Sequence, residues 1–394
     1  MSKDWKNPNV TLGGVAKGDK FYHRNNIVEE IWDKLQKGNC VLLTAPRRVG
    51  KTSVMQYMED NPIENYKAIF QDIEGTGSAV GFYERIYEML LKCLNKTDKA
   101  KEWLKKFLKE NSIEEIGIKG VKFKTKPTDF LKATDALLAE INGKEEIENI
   151  VLLLDELPIV LFKIDKKDAV SILENLRRWR QQPEMNKKVK FVFAGSVGIH
   201  YVVAKIKNRS SDLNDLAKVC FEPLSDNEAY KYIDWATYEA TITYDIEQKQ
   251  HLLNKIQYFV PYFINLLIDE IDRQAEKANN PKITTQHIDT AFDIVVRNSD
   301  CFEDWKNRLR DYMPKEDFSF VNEILIHTAH KEYISLQEIF DKAIKYEKTD
   351  DYMKFIKDLM NDGYITEFEN KYRFVSPYLS AFWKADNPIV NLKS

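Results

Sequence analysis

The chain has 394 residues, more than one ordinary compact domain of about 100–200 residues, so two or three units are expected. It is 43% hydrophobic and 31% charged, which is typical of a globular protein. The formal net charge of −3 provides no chain-wide basic field, so any nucleic-acid contact would have to use a local patch. The bulk composition therefore argues against a dedicated DNA-binding protein.

The start of the chain and its cysteines suggest where the protein works. The first ten residues lack the apolar core of a signal peptide, and the longest apolar run, 150–164, is interrupted by Asp155 and Glu156. The four cysteines lie far apart, with neither a C-x-x-C pair nor a histidine at metal-ligand spacing. We therefore expect a cytoplasmic protein with no membrane segment and with reduced, buried or incidental thiols.

Strands and helices alternate between residues 40 and 222. Strands are predicted at 40–43, 68–73, 149–155, 189–194 and 217–222, and helices at 27–37, 78–110, 127–141 and 167–181. The run NIVLLLDE is an uninterrupted apolar strand, as in parallel sheets that are buried on both faces. The pattern predicts a doubly wound α/β domain over 26–224, with an insertion at about 78–145 and a lead segment at 1–25.

A short hairpin is predicted inside the insertion, where IGIKGVKFK alternates apolar with small or basic residues. Alternation places the lysines of this segment on one face, where they would either track phosphates or simply be solvated. The lysines concerned are Lys119, Lys122, Lys124 and Lys126.

After Leu224 the pattern is helical. Ser225 and Glu228 form a capping-box signature, and Pro261 is placed to begin another helix, so a small helical lid is predicted over 225–300. From 318 to 385, three helices followed by two short strands predict a winged-helix domain. Its third helix, read over 350–361, carries three acids against two lysines and no arginine, which favours a regulatory or protein-contacting role over DNA reading.

The strongest motif is a loop between the first strand and a helix. It fits the Walker A spacing except that Ala45 stands at the first glycine position. Such a loop curls its backbone N–H groups toward phosphate oxygens, with a helix N-terminus behind them. Lys51 would contact the β- and γ-phosphates of ATP, and Thr52 would offer its hydroxyl to Mg²⁺. The residues expected to surround the nucleotide are Ala45, Pro46, Arg47, Arg48, Val49, Gly50, Lys51, Thr52 and Ser53.

The second motif is the acidic end of the strand 149–155. Asp155 is expected to hold a water of the magnesium shell, and Glu156 to orient and polarise the attacking water. Ser196 follows the next strand, where it would sense the γ-phosphate. Arg209 precedes the last strand and is a candidate arginine finger, in cis or from a neighbouring subunit.

The remaining arginines are expected to have structural or surface roles. One of Arg47 and Arg48 is expected to pack against the sheet or to meet an acidic neighbour. The helix after the acidic pair carries Arg177, Arg178 and Arg180, which we interpret as a surface or partner-binding face.

These motifs together resemble the prokaryotic and archaeal AAA-like ATPases near the STAND and origin-recognition groups. The resemblance rests on FYHR at 21–24, APRRVGKTS at 45–53, LLLDELP at 152–158, FAGS at 193–196, VP at 260–261 and YRFVSP at 372–377. It covers about residues 20–385 and implies a P-loop NTPase core, a helical lid and a winged helix that close around nucleotide. It also implies that Arg24 lies near the adenine and that Pro261 marks the lid helix facing the nucleotide. Phe259 replaces the usual glycine of Gly-x-Pro, and the lid shows no arginine at a fixed spacing.

The function predicted from these motifs is a slowly hydrolysing ATPase that acts as a regulatory switch on a protein partner, with homo-oligomerisation as a further expectation. A DNA-associated loader or transposition-type ATPase assembling on duplex DNA is the alternative. A small-molecule kinase with the same loop is a third reading, but it would not need the long C-terminal half.

Overall fold

The structure is a computed structural model that describes residues 5–44, 46, 48–94, 129–195, 198–207, 211–298 and 300–388. The predicted hairpin with Lys119, Lys122, Lys124 and Lys126 lies outside these residues. The described part divides into two compact units. The sheet unit takes in the described residues of 24–44 and 51–221, and the helical unit those of 1–23, 45–50 and 222–394.

The sheet unit is built on five parallel strands in the order β2-β3-β4-β1-β5. Their bounds are β1 Val41–Thr44, β2 Tyr66–Asp72, β3 Asn149–Asp155, β4 Val189–Gly195 and β5 Ala217–Cys220. The helices of this unit are α1 Asn25–Gln36, α2 Lys51–Asp60, α3 Ala79–Leu94, α4 Phe130–Gly143, α5 Leu157–Lys163, α6 Lys166–Gln181, α7 Pro183–Asn186 and α8 Ile199–Lys207. The predicted α/β P-loop fold is therefore confirmed.

Both faces of the sheet are buried at its central strands β3 and β4, which explains why most of their residues are apolar. Leu152 and Phe193 on one face join the core formed with α3, α4 and α6, and neither side chain is exposed. The alternate residues Val151 and Leu153 of β3 are equally inaccessible. Burying each such side chain contributes about 1.5–3 kcal/mol, so a polar residue at any of these positions would be strongly destabilising.

The helical unit begins with five helices after the last strand of the sheet. These are α9 Asp226–Ala236, α10 Ile246–Ile256, α11 Pro261–Ala278, α12 Thr285–Arg297 and α13 Asp300–Tyr312. The predicted capping box of Ser225 with Glu228 is present, and Pro261 does begin α11. Helices α10 and α12 were not predicted, although each begins with a capping box of its own, at Asp245 and Thr284.

A C-terminal module follows within the same unit. It consists of α14 Lys315–Lys331, β6 Ile334–Ser335, α15 Leu336–Lys345, α16 Tyr352–Asn361, β7 Ile365–Phe368 and β8 Lys371–Phe374. The three strands form one antiparallel sheet in the order β6-β8-β7. This is the element order expected from the sequence, with one short strand added. A final helix, α17 Pro377–Asp386, packs against α14 and was not predicted.

Aromatic side chains hold the helical unit together. The ring of Phe263 on α11 lies 6.1 Å from that of Phe302, 6.0 Å from that of Trp305 and 5.5 Å from that of Tyr378, measured between centroids. Phe292 stacks on Tyr378 at 4.7 Å. Helices α11, α12, α13 and α17 therefore share one core, because rings at these distances attract beyond their area burial.

The N-terminal lead segment is tied to the same unit. The indole N–H of Trp5 and the amide of Asn7 both donate to the carboxylate of Asp272 on α11, at 3.1 and 2.7 Å. The backbone N–H of Asn9 donates to the carbonyl of Ala236 at 2.6 Å. These bonds fix residues 5–9 on the helices.

None of the helices in the described ranges is long and apolar enough to cross a membrane. Among the thiols that the structure describes, those of Cys40 and Cys93 are buried and that of Cys220 is exposed.

Candidate functional site

The loop between β1 and α2 has the backbone of a phosphate-binding turn. Arg48 and Gly50 both have positive φ angles, 63° and 103°, so the chain turns sharply just before α2 begins at Lys51. Only glycine adopts the conformation of Gly50 without strain. The N-terminus of α2 adds the positive end of a helix dipole. Ala45 and Arg47 lie outside the described residues.

The first turn of α2 carries three polar side chains that are withdrawn from solvent. Lys51 and Ser53 are buried, at 7% and 8% exposure, and Thr52 is half-buried. The Thr52 hydroxyl donates to Oδ2 of Asp155 at 2.6 Å. That bond joins the helix start to the end of β3, because parallel strands present their carboxyl ends at one edge of the sheet.

Asp155 is the last residue of β3 and is only 3% exposed. Besides the Thr52 hydroxyl, it accepts the backbone N–H of Glu156 at 3.0 Å. Burial, together with the charge of Glu156, raises the pKa of Asp155, whereas the Thr52 bond and the Lys51 ammonium oppose that rise. Perturbation of this kind is common at functional sites.

Glu156 occupies an unusual backbone position. Its φ and ψ are 60° and 33°, which is the left-handed region, and it caps the short helix α5. A non-glycine residue there costs of order 1 kcal/mol, and such strain concentrates at active sites. Because the chain turns sharply at Glu156, Asp155 remains in the sheet as the last residue of β3, whereas Glu156 lies just outside it.

The end of β4 lies very close to this acidic turn. A Cβ atom at Gly195 would be 2.4 Å from both Cδ and Cγ of Pro158, so only glycine fits there. Gly195 is the third residue of the FAGS motif, and Pro158 lies two residues after Glu156. Ser196, the expected phosphate sensor, lies outside the described residues, as does Arg209.

The oxygen donors of Thr52 and Asp155 fit a magnesium ion. Mg²⁺ prefers hydroxyl, carboxylate and water oxygens, and the 2.6 Å bond shows that these two groups reach the same point.

The tip of the loop has its own contacts within the helical unit. The guanidinium of Arg48 lies 4.6 Å from the centre of the Tyr262 ring and 3.3 Å from Oδ2 of Asp304. The expectation that one loop arginine meets an acidic neighbour is thus confirmed for Arg48. Pro46 packs against Gly363. Val49 is buried, with 1% exposure.

Arg24 and Pro261, the two residues suggested by family resemblance, are placed in different units. Arg24 is 7% exposed, and its guanidinium lies 4.9 Å from the centre of the Phe221 ring. Pro261 is the first residue of α11, directly before Tyr262. Their roles toward a nucleotide remain predictions.

The arginines of α6 form internal ion pairs. Arg177 pairs with Asp212 at 3.0 Å, Arg178 with Asp135 at 2.7 Å and Arg180 with Asp215 at 2.8 Å. The expectation of a surface or partner-binding face is wrong for Arg180, whose side chain is only 3% exposed. Its guanidinium also lies 5.5 Å from the centre of the Phe193 ring, which fixes α6 on the sheet.

Sequence reasoning missed Tyr262, Asp304, Pro158 and the special role of Gly195. Asp304 lies 256 residues from Arg48, and nothing local in the sequence connects them. For Pro158, the signal available was its place two residues after the acidic pair, because proline is favoured in the first turn of a helix.

Comparisons with known proteins support the fold. No family model and no curated protein sequence matches this chain. Among solved structures, the Walker-type ATPase PABY2304 of Pyrococcus abyssi is similar, with a TM-score of 0.65 at 14% identity, over 95% of this chain and 99% of that one. The ORC2 protein of Aeropyrum pernix, solved as ADPNP and ADP complexes, gives a TM-score of 0.51 at 10% identity, over 92% and 93%. These likenesses show that the chain has the fold of AAA-like P-loop ATPases.

Proposed function

We propose that the chain binds Mg²⁺-ATP at the carboxyl edge of its sheet and hydrolyses it slowly, as a switch that acts on a protein partner. The observation that carries the proposal is the 2.6 Å bond between Thr52 and Asp155, with buried Lys51 beside them. It brings together a hydroxyl, a carboxylate and an ammonium at the end of a phosphate-binding turn. This is the set of groups that a bound nucleoside triphosphate requires.

Each group has a distinct part in the proposed reaction. Lys51 and the backbone N–H groups of the loop neutralise the phosphate oxygens. Thr52 would offer its hydroxyl to Mg²⁺ and Asp155 would hold a water of its shell, and the bound ion would supply charge stabilisation at the phosphates. Glu156 accepts a proton from water as the water oxygen forms a bond to the γ-phosphorus. The bond from the γ-phosphorus to the bridging oxygen breaks, its electron pair stays on ADP, and phosphate is released.

Four further residues complete the proposal. Ser196 would sense the γ-phosphate, Arg209 would act as the arginine finger, Arg24 would lie near the adenine, and Pro261 would mark the lid helix that faces the nucleotide. A switch needs its ATP form to persist until a partner reads it, so turnover is expected to be slow.

The C-terminal module supports a protein rather than DNA as the object of the switch. We interpret it as a winged helix, in which α16 would be the DNA-reading element. The ammonium of Lys354 on that helix pairs with Asp351 of the same chain, and the wing residue Arg373 lies 4.6 Å from the centre of the Phe368 ring. Cations engaged in this way are less available for phosphates.

Glu156→Gln tests the catalytic part of the proposal. Fluorescent ATP should bind this variant about as well as it binds the wild type, while phosphate release falls by about 100-fold or more, because only the proton acceptor is lost. Glu184→Gln, at an exposed position on α7, serves as the matched control and should turn over normally. Normal turnover in Glu156→Gln would remove that residue from the mechanism.

The same variant tests the partner. Proteins retained by ATP-loaded Glu156→Gln but not by Lys51→Ala, identified by mass spectrometry, would be those that read the ATP form. A salt-sensitive, ATP-dependent rise in anisotropy of labelled duplex DNA would instead favour the DNA-loader alternative.

A further inference from the structure

Helix α15 of the C-terminal module carries an apolar stripe on its exposed side. Leu336, Phe340 and Ile344 recur every four residues, so they form one row along the helix. Leu336 is 42% exposed, Ile344 is 58% exposed and Phe340 is half-buried. The residues that bind α15 to its own module are different ones, Ile339 and Ala343, which are fully buried.

The α15 stripe, meaning Leu336, Phe340 and Ile344, extends onto the next helix. The ring of Tyr352, the first residue of α16, meets the ring of Phe340 edge-on, with centroids 5.5 Å apart. The row is therefore backed by a second aromatic side chain. An apolar row of this spacing is the usual counterpart of an amphipathic helix laid against it.

The bases around the stripe share two carboxylates of the module itself. Lys342 and Lys345 both contact the carboxylate of Glu323, at 3.2 and 2.7 Å. Lys348, in the loop after α15, pairs with Asp317 at 2.5 Å. Three ammonium groups set against two carboxylates leave one net positive charge beside the stripe.

The acids around the stripe are not neutralised in this way. Asp341 lies three residues before Ile344; within the described residues it accepts an amide N–H from Gln337, at 2.8 Å, and has no ion pair. The backbone N–H of Glu347 donates to the carbonyl of Ile344, so Glu347 borders the same end of the row. Neither Glu347 nor Asp350 has an ion pair with any residue that the structure describes. The rim of the stripe is therefore acidic.

We infer that the α15 stripe is the docking surface for an amphipathic helix of a partner protein, one whose apolar face is flanked by lysine or arginine. The inference rests on the proposed function, since it assigns a surface to the partner proposed there. A second copy of the chain fits less well, because a two-fold contact would bring like acidic rims together. Duplex DNA fits less well too, because the rim would repel its phosphates.

Two labelled model peptides provide the test on the full-length chain. Both are helical with leucines at four-residue spacing, and one is flanked by lysine and the other by glutamate. The lysine peptide should bind at least about tenfold more tightly than the glutamate peptide, by fluorescence anisotropy. Ile344→Asp should weaken binding of the lysine peptide by at least about tenfold. Ile246→Asp on α10, where the isoleucine is 77% exposed, is the matched control and should bind normally.

A charge-reversed variant keeps the test independent of any folding defect in Ile344→Asp. Asp341→Lys combined with Asp350→Lys changes only exposed side chains and should transfer the preference to the glutamate peptide. Unchanged preference in that variant, or equal binding by Ile344→Asp and wild type, would overturn the inference. The inference would also be overturned if the only effect of Ile344→Asp were a loss of self-association, measured by sedimentation, or a loss of duplex-DNA binding.

ATP turnover of the same variants separates this inference from the proposed function. If ATP turnover is normal and the lysine peptide binds equally well to Ile344→Asp and to wild type, the docking surface is contradicted and the ATPase proposal stands. If the wild-type protein binds the lysine peptide through Ile344 but does not bind ATP, the ATPase proposal is contradicted and the docking surface stands.

Discussion

The pKa of a carboxylate that is withdrawn from solvent shifts in opposite directions at the edge of the sheet and in the C-terminal module. At the sheet edge, burial raises the pKa of Asp155, so its ionised form is held at a cost in stability. In the module, burial is outweighed at Glu323 by hydrogen bonds from Lys345, Tyr346 and Lys342, which lower its pKa to about 2. The ionised form of Glu323 is therefore stabilising. On the proposed function, the contrast separates Asp155, a carboxylate that would serve a ligand, from Glu323, which stabilises the fold.

The strongest test of this contrast is Lys51→Ala, which removes the ammonium at the sheet edge. ATP affinity should fall by about 100-fold or more, because the phosphates lose their nearest buried cation. Equilibrium dialysis with ATP measures the effect. Lys67→Ala is the matched control. It removes a lysine on β2 that pairs with the exposed carboxylate of Glu148, and this variant should bind ATP normally. Equal losses in both variants would show that the effect is not specific to the site.

Glu323→Gln, unlike Lys51→Ala, should lower the stability of the protein and leave ATP binding unchanged. We expect unfolding free energy near neutral pH to fall by about 1–2 kcal/mol, a value reduced because water screens these half-exposed pairs. Since the folded pKa is lowered, the contribution is present above the ordinary glutamate pKa and disappears as pH falls toward about 2. Urea denaturation at neutral and acidic pH measures it. Glu303→Gln, on α13, is the control, and a loss that persisted at low pH would contradict this explanation.

Asp155→Asn should give the smallest change in stability and the opposite sign. Because the folded pKa is raised, wild-type stability falls as pH rises from the ordinary aspartate pKa to the folded one. The asparagine variant should lack that slope and gain up to about 1 kcal/mol near neutral pH, while Mg²⁺-dependent ATP affinity falls by about tenfold. Urea denaturation across the acidic range and ATP titration with and without Mg²⁺ check both parts. A variant less stable than wild type at neutral pH would show that Asp155 is primarily structural.

The sequence predicted those elements whose physical signal is local. Strand β3 is a run of apolar residues that ends in Asp155, and burial on both faces requires such a run. Helix α12 escaped prediction because its capping box uses His287, where glutamate or glutamine is the recognised signature. Helix α8 begins four residues after β4 ends. Because α8 is also rich in apolar residues, the change from the two-residue period of a strand to the 3.6-residue period of a helix is hard to detect.

The candidate site was predictable to the same extent. Lys51, Thr52, Asp155 and Glu156 belong to two contiguous motifs whose chemistry depends on spacing along the chain. The left-handed backbone of Glu156 and the contact between Gly195 and Pro158 depend on how separate elements meet. Such meetings leave no periodic pattern in a single sequence.

The contact between Gly195 and Pro158 also has a mechanical consequence. With no free space between them, the turn that carries Glu156 cannot move toward the sheet without displacing β4. Strand β4 is hydrogen-bonded on its other side to β1, the strand that precedes residues 45–50 in the chain. The acidic turn and β1 thus both lie against β4, so a shift of β4 would disturb both.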